Sequence, residues 1–142
     1  MLVGHSLGCV LIAHFAQRHP DAPVAGAFLV APADVDYAER LPANALSFAP
    51  TPLRSLPFPA VVIASTNDPY MTIGRARELA DAWKARLVNI GESGHINSTA
   101  GFGRWRAGDR HLVELMDLIK SNKDSNRRQQ YRVPGAELTM RR

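Results

Sequence analysis

The chain has 142 residues, a length that fits one domain with a real core. Just under half of its residues are apolar, no apolar run is long enough to cross a bilayer and no signal-peptide pattern opens it, so a cytoplasmic globular protein is expected. A single cysteine, Cys9, excludes an internal disulfide or a thiolate metal cluster. The net charge of +4 is unevenly spread. From Lys120 onward seven Lys/Arg face only Asp124 and Glu137, a surplus of five, which leaves the preceding residues at −1. The basic character therefore belongs to the C-terminal stretch, and with no aromatic-basic platform beside it, nucleic-acid binding is not expected.

In chain order, Met1-Leu2-Val3 is a short apolar run that ends at Gly4-His5-Ser6-Leu7-Gly8. Cys9 to Gln17 then carries a helix-like apolar face through Val10, Ala13, Phe15 and Ala16, so strand, sharp turn and helix follow one another. Asp21 to Pro23 reads as a turn, and Val24 to Ala31 as a parallel strand buried on both faces. Six prolines between Pro32 and Pro59 exclude long regular elements and predict a loop-rich crossover. Ala60 to Ser65 is a second buried strand, ended by the turn Asn67-Asp68-Pro69. Thr72 is suited to cap a helix over Ile73 to Lys84, after which Arg86 to Ile90 reads as a third strand. Gly91 to Gly94 breaks that strand and delivers His95. A last amphipathic helix is predicted from about Ala107 to Ile119, with Leu112, Leu115, Met116 and Ile119 on one side. The expected organisation is an α/β domain over residues 1–120, with a largely parallel sheet in a three-layer fold, followed by a basic, disordered tail over 121–142.

A serine hydroxyl becomes a useful nucleophile only beside a base, a group that orients the base, and donors for the oxyanion. Ser6 sits in a Gly-x-Ser-x-Gly elbow, whose glycines are expected to keep side chains out of a tight strand-to-helix turn. The Leu7 amide opens the helix and is a candidate oxyanion donor. The bare motif arises by chance in a chain of this length roughly one time in twenty. Here it lies between an apolar run and a helical pattern, and an acid and a histidine follow, each just beyond a predicted strand. Asp68 is preferred as the acid over Asp34 and Asp36, because the Asn67-Asp68-Pro69 turn aims its carboxylate at the strand ends. His95 is the base. His14, His19 and His111 fall in or beside helices, and His5 is expected to line the substrate pocket. Cys9 is expected to be buried rather than reactive.

Three stretches carry a resemblance: LVGHSLGCV, VAGAFLVAPADV, and FAPTPLRSLPFPAVVIASTNDPYMTIGRARELADAWKARLVNIGESGHIN with GFGRWRAG just after. Over about Leu2 to Ile119 the chain resembles the small α/β hydrolases of the retinoblastoma-binding protein 9, or YdeN-like, type. The resemblance implies an α/β-hydrolase fold, a Ser6, Asp68, His95 triad, and hydrolysis of a carboxylic ester or related acyl bond through an acyl-enzyme, without metal or other cofactor. Members of that family carry a further region before the elbow strand, including a neighbouring strand and the loop that gives a second oxyanion N–H. The chain is therefore expected to be N-terminally truncated. The alternative expectation is a catalytically impaired hydrolase fold that acts as a protein-binding module.

Overall fold

The computed structural model describes residues 1–37, 39 and 41–130. Four strands form one parallel sheet in sequence order: β1 (Leu2–Ser6), β2 (Ala27–Pro32), β3 (Ala60–Ala64) and β4 (Arg86–Asn89). Helix α1 (Leu7–Arg18) joins β1 to β2, and α2 (Ile73–Trp83) joins β3 to β4. Helix α3 (Arg106–Gln130) follows β4. The proline-rich connection between β2 and β3 contains only a short 3-10 segment, Ala43–Phe48, as its prolines require.

β2 and β3 are buried at every position, which explains their unbroken apolar runs. On one face of the sheet, Leu29 and Val62 pack with Cys9, Ile12, Ala13 and Ala16 of α1 and with Leu79 and Trp83 of α2. On the other, Phe28, Val30, Val61 and Ile63 meet Leu115, Leu112 and Ile119 of α3. Helices, sheet and helix thus form three layers, as the alternating sequence predicts. The approach of α3 is close enough that a Cβ at Gly26 would lie 2.7 Å from Ile119 Cδ1, so a side chain there would require Ile119 to shift.

Element boundaries differ from the sequence reading in instructive ways. β1 extends beyond Val3, through the elbow to Ser6, with a register shift between His5 and Ser6. β2 starts at Ala27 because Val24 N–H turns back to the Ala22 carbonyl instead of joining the ladder, and it closes on Pro32. α2 stops at Trp83, where Lys84 takes a left-handed conformation with φ 56°. The largest difference is in α3. Residues 121–130, expected to be irregular, continue the helix. They lack an apolar stripe, but they contain no glycine or proline, and extending an existing helix is far easier than nucleating one. The remainder of the expected tail, 131–142, lies outside the described residues.

Candidate active site

The elbow places Ser6 at the end of β1 and at the cap of α1, with φ 57° and ψ −123°. That positive φ is a costly conformation for a residue with a side chain, and it lifts the hydroxyl out of the strand. Gly4 allows the turn: a Cβ there would stand 2.8 Å from the Gly8 carbonyl carbon and 2.8 Å from Ile12 Cδ1. Gly8 is different. A Cβ on it would meet nothing within 4 Å, so the expectation that both glycines are needed for clearance holds at Gly4 alone.

Ser6 Oγ lies 2.9 Å from His95 Nε2. On the far side of the same ring, His95 Nδ1 is 2.9 Å from Asp68 Oδ2 and 3.0 Å from Oδ1. An ionised carboxylate only accepts, so Nδ1–H donates to Asp68 and Nε2 is left to accept from the Ser6 hydroxyl. Asp68 and His95 are buried, at 8% and 7% exposure, which shields this chain of bonds from water. The structure therefore brings together the three residues that the sequence singled out, from the ends of β1, β3 and β4. Leu7 opens α1, where its N–H has no acceptor within the helix.

The loops that carry Asp68 and His95 are tied to each other. Asp68 Oδ1 accepts from Tyr70 N–H at 2.9 Å, which locks the turn after β3. Asn67 Oδ1 accepts from the Ser65 hydroxyl at 2.9 Å and from Gly94 N–H at 2.7 Å. Ser65 Oγ in turn accepts from Ser93 N–H at 2.9 Å. Ser65, Asn67 and Tyr70 escape a sequence reading, because their partners lie across loops and their local signal is only that of a turn. The His95 ring also sits between two others: Tyr70 meets it edge-on at 4.7 Å, and His5 is tilted at 4.8 Å. His5 is exposed, and its Nε2–H donates to the His95 carbonyl at 2.8 Å.

The rejected acids have another task. Arg75 on α2 pairs with Asp34 at 3.4 Å, Asp36 at 2.6 Å and Glu78 at 3.0 Å, and so ties the loop after β2 to α2. Burial raises the Asp34 carboxyl above its ordinary range despite Arg75. Burial alone would also raise Asp36, but the hydrogen bond from Thr51 N–H and the Arg75 charge more than offset it and hold that carboxyl low. A cavity of about 510 Å³ lies beside this cluster, lined by Asp34, Asp68, Tyr70, Met71, Thr72 and Arg75 among others, with neither Ser6 nor His95 in its wall.

The other histidines have local partners: His14 with the Phe48 carbonyl, His19 with the Phe15 ring, His111 with Glu114. Cys9 is fully buried, its thiol turned toward the Gly4 and Val30 carbonyls, and burial pushes its pKa far above the ordinary thiol range. Among the described residues, no group of three or more His, Cys, Asp or Glu is placed to hold a metal ion, and no helix is long and apolar enough to cross a membrane.

Residues 1–114 match the family model described as serine hydrolase. The chain belongs to the serine hydrolase family. Among solved structures, this serine hydrolase is similar to a YdeN-like hydrolase from Pectobacterium atrosepticum, with 36% identity and a TM-score of 0.71 over 83% of the chain. It spans 60% of the length of that protein. Two more distant likenesses concern the fold alone. A meta-cleavage product hydrolase from Pseudomonas fluorescens has 13% identity and a TM-score of 0.59, covering 81% of this chain and 63% of its own. An esterase from Rhodococcus has 16% identity and a TM-score of 0.54, covering 84% and 65%. The architecture is thus that of the α/β hydrolases. No curated protein matches the chain.

Proposed function

We propose that this serine hydrolase cleaves a carboxylic ester or related acyl bond through an acyl-enzyme, with Ser6 as nucleophile, His95 as general base and Asp68 as the group that orients it. The observation that carries this reading is the continuous line of hydrogen bonds from the Asp68 carboxylate through both His95 nitrogens to Ser6 Oγ at the strained elbow.

In the first half-reaction Ser6 Oγ bonds to the acyl carbon while its proton passes to His95 Nε2. The carbonyl π electrons move onto oxygen, and Leu7 N–H donates to the resulting oxyanion. Asp68, buried against Nδ1–H, stabilises the imidazolium. Collapse of the tetrahedral intermediate expels the alcohol or equivalent leaving group, which takes the proton from His95. Water then attacks the acyl-enzyme by the same route, with His95 as base, and releases the acid and free Ser6. None of these steps calls for a cofactor, and the substrate is a small acyl compound. The single buried thiol of Cys9 suits a cytoplasmic, reducing setting.

Labelling with a fluorophosphonate probe tests the assignment. The parent protein is expected to label at Ser6, Ser6→Ala to give no adduct, and the substitution to lower kcat on the order of 10⁶-fold. Equal labelling of Ser6→Ala would refute it. A parent that never labels would favour a hydrolase fold that acts through a protein partner instead.

A further inference from the structure

We propose that His5 is a positioning residue, which sets the distance between Ser6 and the base from the neighbouring position on the same strand. The inference rests on Ser6 and His95 acting as assigned above.

Residue 95 is held at both ends by two consecutive residues of β1. Ser6 Oγ meets its side chain at Nε2, 2.9 Å away, and His5 Nε2 meets its main-chain carbonyl 2.8 Å away. The main chain around residue 95 has no strand or helix to fix it. Ile96, the next residue, adopts φ 47°, a strained conformation for a β-branched side chain that persists only where the surroundings hold it. The carbonyl that His5 grips is the one between these two residues. The Ser65 and Asn67 bonds secure the same loop upstream, at Ser93 and Gly94, so His5 supplies the fixed point on the nucleophile's side.

The bond also dictates the chemistry of His5. A carbonyl oxygen can only accept, so Nε2 carries the proton, and in the neutral ring Nδ1 is left as an acceptor. The one N–H of the neutral ring is thus committed to the protein. The ring itself packs 4.8 Å from that of His95, which limits the swing of the base. These contacts are internal to the protein, so their loss is expected to act on the chemical step and not on binding. That outcome differs from the one expected of a pocket-lining residue.

Three variants separate the possibilities, with p-nitrophenyl acetate hydrolysis and the rate of fluorophosphonate labelling as readouts. His5→Gln retains an amide N–H able to reach the carbonyl, His5→Phe keeps a ring without a donor, and His5→Ala removes both. His5→Phe and His5→Ala are expected to lower kcat and the labelling rate about tenfold, as fits the loss of one hydrogen bond, with KM within about twofold. His5→Gln is expected to recover most of the rate. Thermal melting run in parallel identifies a variant that fails to fold, and the Gln and Phe pair decides the matter should Ala do so. A rise in KM at unchanged kcat, parent-like rates in His5→Phe, or a His5→Gln variant as slow as His5→Phe would each overturn the proposal. In those cases the parent still labels at Ser6, whereas failure of the underlying assignment shows as labelling that survives Ser6→Ala or is absent from the parent.

Discussion

Asp68 and Ser6, proposed above as acid and nucleophile, stand on very different strands. β3, which leads to Asp68, is flanked by strands on both edges and buried at all five positions. β1, which ends in Ser6, has only β2 beside it among the described residues, and its Val3 is 65% exposed. The α3 helix packs over β2 and β3 and leaves that side of β1 open. Among the described residues, the three side chains are held in different ways. The well-buried strand holds Asp68, bonds across the loops join the His95 loop to the Asp68 turn, and Ser6 is held locally by the sharp turn, α1 and the contacts that β1 makes with residue 95.

This contrast can be broken or sharpened by substitution. The largest difference is expected between Ile63→Ala in β3, which should cost about 2–5 kcal/mol in chemical denaturation, and Val3→Ala in β1, which should stay within about 0.5 kcal/mol. Similar losses at the two positions would mean that β1 is not the weakly supported strand. Next comes the elbow. Gly4→Ala drives a Cβ into the Gly8 backbone and Ile12 and should cost about 1–3 kcal/mol, with slower labelling of Ser6. Gly8→Ala has room within a helix and should be neutral or stabilising, by up to about 1 kcal/mol. A destabilised Gly8→Ala would show that the elbow is tighter than its geometry implies.

A pH-dependent effect is expected at the clasp beside Asp68. Because the folded state holds the Asp36 carboxyl low, its stabilising contribution is present above the ordinary carboxyl range and fades as pH falls through the depressed folded value. Asp36→Asn should therefore cost about 1 kcal/mol at pH 7, with the gap to the parent closing as pH falls below the ordinary carboxyl range in parallel melts. A gap that does not change with pH would mean that Asp36 contributes by shape and not by charge.

Much of this arrangement is legible in the sequence, for identifiable reasons. VAGAFLVA and AVVIAS read as strands because burial on both faces removes the polar alternation that would make a short run ambiguous. Ser6, Asp68 and His95 stand out because each follows such a run at a turn residue or glycine. What stays hidden depends on partners far along the chain: the Asn67 to Gly94 bond spans 27 residues and the Arg75 to Asp36 pair 39, and neither leaves a periodic trace. The space beside Gly8 and the helical course of residues 121–130 are hidden for a second reason. They depend on clearance and on helix propagation, and neither has a residue pattern of its own.

The backbone of Ser6 has one further consequence. A positive φ suits glycine and penalises every other residue, so the proposed nucleophile at position 6 is an amino acid that the local backbone disfavours. On the role proposed for Ser6, stability and turnover make opposite demands at this single site, and Ser6→Gly would relieve the backbone strain while removing the hydroxyl.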